Sequence, residues 1–380
     1  MLRERSRTWV EVDLKRIKNN YRAAMARLHG ETAAIAVIKS DAYGHGYDRV
    51  GRALFECGVR RFAVASIDES VALRECEWLP RECEVLILSY TPPALLDELC
   101  EYGIAQSLIS EDYAAELASR IVARHCGKIR THIALDTGMR RVGMNADRIG
   151  GLVEFAREYK DRLGIGAVFT HLCCADGESP SDKEFTGLQL KRFSAACAAL
   201  RPIGINEAHC LNSAGILWHS GSVCGELSRL VRPGIVLYGL SPNGGSLPKD
   251  FTPALTWKTE IAMVKTVRRG ESVGYGRAFT APRDMLVATL PVGYADGYPR
   301  ALSNKGYVMT NGTMAPVVGR VCMNQMTVDV SGANGVRPGD AAVLLGGKAN
   351  ADRLAGIAGT IGYELITRIS PYVPRFYLEN

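Results

Sequence analysis

The sequence lacks the features that mark membrane-spanning, nucleic-acid-binding and zinc-binding proteins. No stretch reaches the roughly 18 apolar residues of a membrane helix, so we expect no membrane contact from this chain. Lys and Arg number 46 against 40 Asp and Glu, a net charge of +6. No basic block concentrates this charge, which argues against nucleic acid as a partner. The 11 cysteines include no zinc-type CxxC pair, and we predict no metal site.

The cysteines also indicate a reducing compartment. Cys173 and Cys174 are adjacent, too close for an ordinary disulfide, and reduced thiols in a cytosolic protein are the simplest account. The charged N-terminal segment is followed by no long apolar stretch. We therefore expect a cytoplasmic location, either for the chain alone or as the cytoplasmic domain of a membrane-anchored protein.

The first two thirds of the chain alternates short apolar runs with amphipathic stretches. After an opening segment (Trp9–Leu14) and a helix (Lys15–Leu28), eight apolar runs predict buried strands. These runs are Ala33–Lys39, Phe62–Ser66, Glu84–Ser89, Ala105–Ser110, Ile129–Asp136, Ile165–His171, Glu207–Asn212 and Leu230–Gly239. Strands that are apolar on both faces and joined by helical crossovers form a parallel sheet covered by helices. Eight of them in roughly 230 residues favour a closed (β/α)8 barrel over residues 1–239, with an open doubly wound sheet as the alternative.

A second domain is predicted from residue 240 to residue 380. Its first residues, "SPNGGSLPKD", form a turn-rich linker, and β-branched runs broken by Gly, Pro and Asn follow. The predicted strands are Ala262–Val267, Met285–Leu290, Val317–Val321, Met326–Val330 and Ala341–Leu345. Helical periodicity returns only at Ala351–Ala358. The fold class is therefore α/β, an N-terminal (β/α)8 barrel with a C-terminal, mostly antiparallel β domain.

Polar residues that packing explains poorly cluster at the ends of the predicted barrel strands. They are Lys39, Arg141, His171, Asn212, Ser213 and Arg232. Taken singly, each has an ordinary explanation as a rim charge, a buried histidine or a helix cap. Barrel enzymes carry their chemistry at the carboxyl ends of the strands, so together these residues predict one active-site mouth.

A lysine at the floor of an apolar pocket has one chemical use that the other residues support. Burial lowers its pKa, and its amine can then form a Schiff base with a carbonyl cofactor. Pyridoxal phosphate also needs a phosphate cradle, for which Ser213, Gly234 and Ile235 are suitable. Its ring nitrogen needs a partner, and Arg232 is the available candidate. Because arginine does not give up its proton, the ring nitrogen would stay unprotonated, which favours simple return of a proton to the substrate carbon.

Over nearly its whole length the sequence resembles the alanine racemases. "AVIKSDAYGHG" is similar to the cofactor-lysine motif of that family, with Lys39 as the cofactor lysine and Tyr43 near the phosphate. "GYGRAFTA" resembles the segment that carries a second base, Tyr275, whose phenolate the charge of Arg141 would favour. The resemblance further implies that His171 hydrogen-bonds Arg232, and that Asn212 belongs to the cofactor site.

Two more stretches extend the resemblance to the substrate. "LPVGYADGYPR" and "VVGRVCMNQM" match family segments at the substrate entrance and carboxylate, which implies substrate contacts for Tyr294, Met323 and Asn324. A racemase needs two acid/base groups on opposite faces of a planar carbon, here Lys39 and Tyr275. In the family the tyrosine comes from the partner subunit. The resemblance therefore implies a homodimer with shared sites that interconverts L- and D-alanine for peptidoglycan precursors.

Departures from the family pattern leave the substrate open. Ala134 stands where many members have a lysine that orients the arginine equivalent to Arg141. Pro371 replaces a tyrosine that walls the side-chain pocket, and Tyr372 is displaced by one position. Asn324 stands where aspartate is usual. These features fit the serine racemase domains of vancomycin-resistance proteins, so L-serine racemisation is the alternative activity.

Two further classes share parts of the pattern. A decarboxylase of similar architecture would use an acidic residue at the cofactor ring nitrogen, and Arg232 argues against it. A non-catalytic carrier of pyridoxal phosphate would consist of a barrel alone, and residues 240–380 with Tyr275 argue against that class.

Overall fold

The computed structural model describes residues 6–29, 31–124, 129–222 and 229–379. The strands are β1 (Thr8–Asp13), β2 (Ala33–Val37), β3 (Arg61–Val64), β4 (Glu84–Ile87), β5 (Ala105–Leu108), β6 (Thr131–Asp136), β7 (Met144–Asn145), β8 (Ile165–Thr170), β9 (Glu207–His209), β10 (Leu230–Val231), β11 (Leu255–Glu260), β12 (Met263–Val267), β13 (Ser272–Val273), β14 (Phe279–Thr280), β15 (Met285–Leu290), β16 (Tyr307–Thr310), β17 (Thr313–Pro316), β18 (Met326–Asp329), β19 (Ala341–Leu345) and β20 (Arg375–Leu378). The helices are α1 (Leu14–Met25), α2 (Lys39–Gly44), α3 (Tyr47–Glu56), α4 (Ile67–Arg74), α5 (Leu96–Glu101), α6 (Glu111–Arg124), α7 (Ile149–Leu163), α8 (Pro180–Leu200), α9 (Ser213–Trp218), α10 (Ala351–Ala358) and α11 (Gly362–Thr367). Within these ranges, no helix combines the length and apolar character needed to cross a bilayer.

Eight parallel strands close into a barrel. Their order is β5-β4-β3-β2-β10-β9-β8-β6, and β5 also pairs with β6, which completes the ring. Every pairing around the ring is parallel. The predicted (β/α)8 barrel is therefore confirmed, and the closing pair rules out the open doubly wound sheet.

Each of the eight predicted runs overlaps a barrel strand, but the eighth strand is much shorter than expected. The prediction was Leu230–Gly239, whereas β10 ends at Val231 and a 3-10 helix spans Ile235–Tyr238. The reason lies in "RPG": Pro233 has no N–H to donate to a ladder, and its carbonyl accepts a hydrogen bond from the Val37 N–H at 2.9 Å. The regular strand therefore ends early, and Pro233 makes the last backbone hydrogen bond to β2 before the chain turns into the 3-10 helix.

The chain forms two compact units, and one of them consists mainly of the barrel, over Asn20–Ala42 and Tyr47–Leu237. The other contains the chain up to Asn19, Tyr43–Gly46 and everything from Tyr238 onward. These units differ from the predicted bounds of 1–239 and 240–380 chiefly at the N-terminus. There, β1 pairs antiparallel with β11 and parallel with β20, which ties the first strand to the C-terminal sheet.

The second unit is mostly antiparallel, as predicted. Its main sheet has the order β17-β16-β19-β11-β1-β20, beside a three-stranded sheet β12-β15-β18 and the pair β13-β14. Of the five predicted strands, Val317–Val321 is wrong. Val317 makes only an isolated bridge to Val328, and Gly319 takes a left-handed conformation at φ +84°, which no regular strand accepts.

Candidate active site

Lys39 lies two residues beyond the end of β2. Burial lowers the pKa of its amine, the nearby charge of Arg141 lowers it further, and Glu69 partly opposes both effects. Glu69 holds the neighbouring backbone, because its carboxylate accepts hydrogen bonds from the N–H groups of Ser40 and Ala65. The structure thus gives Lys39 the lowered pKa that a nucleophilic amine requires.

The residues after Lys39 form a left-handed helical turn. Ser40, Asp41, Ala42 and Tyr43 have φ values of 54°, 54°, 50° and 54°, although none is glycine. Left-handed backbone costs an L-residue roughly 1–2 kcal/mol, and four in a row need support from the surroundings. Hydrogen bonds from the Ala42 N–H to the Ile38 carbonyl (2.8 Å) and from the Tyr47 N–H to the Asp41 carboxylate (2.9 Å) supply part of it. Such strain concentrates at functional sites.

Arg232 directly follows β10, the strand paired with β2. Its side chain is 2% exposed, and burial lowers its pKa to about 10, so it remains a cation at neutral pH. One terminal nitrogen contacts Nδ1 of His209 (2.6 Å) and the His209 carbonyl (2.7 Å), and the other donates to the Thr170 carbonyl (2.6 Å). Within the described part of the chain, Nε of Arg232 makes no hydrogen bond. Its N–H is therefore available to a ligand.

The expected hydrogen bond between His171 and Arg232 is therefore corrected. The imidazole that Arg232 contacts belongs to His209. Within the described ranges, no hydrogen bond joins Arg232 to His171. His171 still lies in the electrostatic field of the site. Burial and the positive charges of Arg232, Arg141 and Lys39 lower its pKa to about 3, so its ring is neutral at physiological pH.

Ser213 lies against the loop that follows β10. Its hydroxyl accepts hydrogen bonds from the N–H groups of Gly234 (3.0 Å) and Val236 (3.4 Å), and Ile235 lies between these two residues. Asn212 caps helix α9, since its side-chain oxygen accepts from the Gly215 N–H at 2.9 Å and its amide donates to the Leu172 carbonyl at 3.1 Å. The structure thus gives Asn212 the capping role and brings Ser213 together with the predicted phosphate loop.

Arg141 belongs to the loop between β6 and β7 and is exposed. Its charge acts on Lys39, His171 and Arg232, so these four residues share one site. Ala134, at the predicted lysine position, is 2% exposed. Among the described residues, no hydrogen-bond partner orients the Arg141 guanidinium, and no side chain takes over the task of the missing lysine.

The second unit carries a separate cleft of about 660 Å³. It is lined by Tyr275, Tyr294, Arg300, Arg320, Val321, Cys322, Met323, Asn324 and Gln325. Tyr275, Tyr294 and Met323 are 72%, 41% and 57% exposed, an unusual grouping of exposed apolar side chains. The structure therefore brings the four residues predicted for this unit, Tyr275, Tyr294, Met323 and Asn324, into one cleft.

Two loops build this cleft and are joined through their backbones. The Tyr294 N–H donates to the Cys322 carbonyl (3.0 Å) and the Ala295 N–H to the Met323 carbonyl (2.9 Å). Gly293 permits the approach, because a Cβ atom there would lie 2.1 Å from the Cys322 oxygen. The loops are therefore fixed relative to one another by a contact that only glycine allows.

Asn324 contacts an ion pair whose carboxylate, Asp296, is buried and whose arginine, Arg7, is exposed. Its amide donates to the Asp296 carboxylate at 3.4 Å, and Arg7 pairs with the other oxygen of Asp296 at 2.6 Å. Tyr372 is 95% exposed, so its ring does not substitute by packing for the tyrosine absent at Pro371.

Tyr43 belongs to an aromatic group of the second unit. Its ring centroid lies 4.8 Å from that of Tyr238 and 6.1 Å from that of Tyr363. The Tyr43 carbonyl is 3.0 Å from Nδ1 of His45. These contacts hold the ring of Tyr43, the last of the four residues in the left-handed turn.

Sequence reasoning missed the residues behind Arg232. His209, His132 and Glu84 are each no more than 4% exposed and lie on different barrel strands. The sequence did contain one indication of these residues, because each is a histidine or a carboxylate within an otherwise apolar predicted strand. Nothing in the sequence indicated that the three were neighbours.

Comparisons with known proteins agree with this architecture. Residues 12–242 match the family model described as alanine racemase, N-terminal domain, and residues 254–377 match alanine racemase, C-terminal domain. The chain is 39% identical to alanine racemase 1 of Clostridium acetobutylicum (100% of this chain, 97% of that one) and 40% identical to the alanine racemase of Symbiobacterium thermophilum (97% of each).

Solved structures give the same result. The alanine racemase of Streptomyces coelicolor superposes with a TM-score of 0.89 at 33% identity, covering 98% of both chains. That of Bartonella henselae, described with covalently bound pyridoxal phosphate, gives 0.86 at 27% identity and covers 98% of this chain and 100% of that one. With both domain models matched in order and relatives similar along their whole length, the chain belongs to the alanine racemase family.

Proposed function

We propose that the chain is a pyridoxal-phosphate-dependent alanine racemase that interconverts L- and D-alanine, the D form serving peptidoglycan precursors. The observation that carries the proposal is a partly buried amine, Lys39, whose pKa is lowered by its surroundings. It follows β2, the strand paired with β10, and Arg232 directly follows β10. Relatives that match the full length of the chain and are named alanine racemases favour alanine over the serine alternative.

The residues present fit the cofactor. Lys39 offers an amine of lowered pKa, and Arg232 offers an Nε–H that faces no protein acceptor. The Ser213 hydroxyl and the Gly234 N–H, 3.0 Å apart, are small polar groups suited to binding a phosphate. By family resemblance, Ile235 and Tyr43 are assigned to the same phosphate site. When bound, pyridoxal phosphate supplies the electron-withdrawing ring that makes the Cα–H of an amino acid acidic.

The chain's own residues then move and control the proton. Lys39, once free, takes or returns the Cα proton at Nζ, for which a lowered pKa is an advantage. Arg232 stays protonated and donates to the ring nitrogen, which leaves that nitrogen without a proton of its own. His171 remains neutral beside these cations and adds no further positive charge.

Tyr275 is assigned to the opposite face of the substrate carbon, contributed by a second copy of the chain. Its 72% exposure, together with that of Tyr294 and Met323, supports a role at a subunit contact, because a group of exposed apolar side chains marks an interaction surface. Arg141 is assigned to the substrate carboxylate and to stabilising the Tyr275 phenolate. Tyr294, Met323 and Asn324 are assigned to the substrate entrance.

A cytoplasmic location is part of the proposal. Cys173, Cys174 and Cys197 are among the described cysteines that form no disulfide, which agrees with a reducing compartment.

Racemisation of L-alanine by the purified protein tests the proposal. We expect a yellow protein that loses its colour on borohydride reduction and forms D-alanine from L-alanine. The kcat/KM for L-alanine should exceed that for L-serine by at least about 10-fold. Lys39→Ala should abolish both colour and turnover, whereas Lys15→Ala, at an exposed helix position, should change neither. A colourless wild-type protein that racemises no amino acid would overturn the proposal.

A further inference from the structure

Buried polar side chains form a continuous line from Arg232 through the barrel interior. The Arg232 guanidinium lies 2.6 Å from Nδ1 of His209, and Nε2 of His209 lies 2.9 Å from Nδ1 of His132. Nε2 of His132 lies 3.5 Å from the Glu84 carboxylate, whose other oxygen accepts a hydrogen bond from Arg130 at 2.8 Å. The line crosses strands β10, β9, β6 and β4 and ends at Arg130, whose side chain is 58% exposed.

The guanidinium at one end of this line and the carboxylate at the other both constrain the protons between them. A guanidinium only donates, so Nδ1 of His209 carries no proton and accepts. His209 is then neutral with its proton on Nε2, and it donates to Nδ1 of His132. His132 must in turn carry its proton on Nε2, the nitrogen that lies 3.5 Å from Oε1 of Glu84. Oε1 is buried and has no closer hydrogen-bond partner among the described residues, so this N–H is the donor nearest to it. Both imidazoles therefore hold the same tautomer, which the hydrogen-bond partners assign.

The charges around the line agree with this assignment. Burial and the charges of Arg232 and Arg61 hold the pKa of His209 well below its usual range, which keeps the ring neutral. Burial raises the pKa of Glu84, but the contact with His132, the hydrogen bond of Arg130 and the charge of Arg61 outweigh it and bring the pKa to about 2. Glu84 is thus an anion that can only accept.

Packing holds the rings in this arrangement. The His209 ring stacks on Phe169 with centroids 4.9 Å apart and an interplanar angle of 4°. The Arg232 guanidinium lies 5.3 Å from the centre of the same Phe169 ring. Rotation of His209 is therefore restricted, and a change of its tautomer would bring an N–H against the guanidinium N–H groups.

We propose that Glu84 is a positioning residue for Arg232: its carboxylate fixes the tautomers of His132 and His209, so that Arg232 is held with Nε directed at the cofactor ring nitrogen. This rests on the proposed function, which places the ring nitrogen at Arg232. The alternative is a purely structural pair between Glu84 and Arg130 at the barrel rim. The two hypotheses predict different effects of removing Arg130, because only the structural pair depends on that residue.

Tautomers measured in the holoenzyme test the inference without reference to activity. In protein labelled with ¹⁵N-histidine, long-range ¹H–¹⁵N spectra of His132 and His209, assigned through His132→Gln and His209→Gln, should show protonated Nε2 and bare Nδ1. Glu84→Gln retains an acceptor and should preserve both tautomers. Glu84→Leu removes the acceptor and should shift the His132 and His209 nitrogen signals toward a mixture of tautomers.

A second readout follows Arg232 itself. In holoenzyme carrying ¹⁵N-labelled pyridoxal phosphate, the ring-nitrogen shift should be unchanged in Glu84→Gln and displaced in Glu84→Leu, with kcat for alanine lowered roughly 10-fold or more, as for other outer positioning residues. Arg130→Gln is the matched control. It breaks the rim pair and should leave the tautomers, the ring-nitrogen shift and kcat at wild-type values.

The inference fails if wild-type His209 carries its proton on Nδ1, a result that needs no Glu84 variant to fold. It also fails if Glu84→Leu leaves both tautomers unchanged, or if Arg130→Gln reproduces its effects. Failure of the proposed function is a separate observation, namely a wild-type protein without cofactor colour or racemase activity.

Discussion

The Arg232 guanidinium contacts both the Nδ1 atom and the carbonyl oxygen of His209, at 2.6 and 2.7 Å. The same residue therefore positions Arg232 through its side chain and its backbone. Because a guanidinium can only donate, the contact requires a neutral His209, and it keeps a fixed positive charge beneath the mouth of the barrel.

The pKa of His171 predicts a pH dependence of stability. In the unfolded chain its imidazole takes up a proton near pH 6.5, whereas in the folded protein burial and the neighbouring cations lower its pKa to about 3. The contribution of neutral His171 to the free energy of unfolding is therefore fully present above pH 6.5. It is lost as the pH falls from about 6.5 to about 3, by about 1.4 kcal/mol per pH unit. Urea unfolding at pH 7.5 and 5.5 should show this loss in the wild type and a smaller loss in His171→Gln. His29→Gln, at an exposed position, should keep the wild-type loss, and an unchanged loss in His171→Gln would contradict the assignment.

Asn324 should not tolerate the aspartate that is usual in the family. A carboxylate at position 324 would face that of Asp296, 3.4 Å from the present amide, with Arg7 as the nearby compensating cation. We expect Asn324→Asp to lower the free energy of unfolding by about 1 kcal/mol at pH 7.5 and to recover part of that loss at pH 5. Asn324→Ser, which adds no charge, should show no such pH dependence. Equal stability of the Asp and Ser variants at both pH values would refute the account.

Gly293 should be essential to the cleft. A methyl group there would meet the carbonyl oxygens of Cys322 at 2.1 Å and Met323 at 2.5 Å, so the two loops would have to separate. We expect Gly293→Ala to cost about 2 kcal/mol or more in stability and to raise KM for alanine. Gly332→Ala, where the nearest atom lies 3.9 Å away, should stay within about 0.5 kcal/mol of the wild type. Similar effects of the two substitutions on KM would count against the role given to Gly293.

The sequence identified the parts of the fold that depend on local pattern. Apolar runs and their helical connections located every barrel strand, and the lysine that closes the first run was recognised as unusual. Exceptions arose where one residue changes the backbone, at Pro233 in the eighth run and at Gly319 after Val317. The periodicity of apolar residues does not predict where a single proline or glycine ends a strand.

The residues behind Arg232 could not be predicted for a different reason. Glu84, His132 and His209 are separated by about fifty to eighty residues and meet only because the barrel closes. Strand order is a property of the whole chain, and single apolar runs carry no information about it. The role of His209 was for the same reason assigned to His171, which lies at a strand end and is visible in the sequence.

The central claim is that Lys39 of one chain and Tyr275 of another serve opposite faces of the same substrate carbon. Lys39→Ala and Tyr275→Phe should each be nearly inactive as homodimers. When equal amounts of the two variants are unfolded together and refolded, half of the dimers should contain one chain of each variant. Each of these mixed dimers should have one intact site of two. The account therefore predicts recovery of about a quarter of wild-type activity.

Two controls accompany this mixing experiment. Each variant refolded alone should stay inactive, and a chain that carries both substitutions should rescue neither single variant, because every site in those mixed dimers lacks Lys39 or Tyr275. Recovery of alanine racemisation near a quarter of the wild-type rate is the expected result. No recovery in the mixture of the two single variants, with mixed dimers shown to form, would contradict the claim.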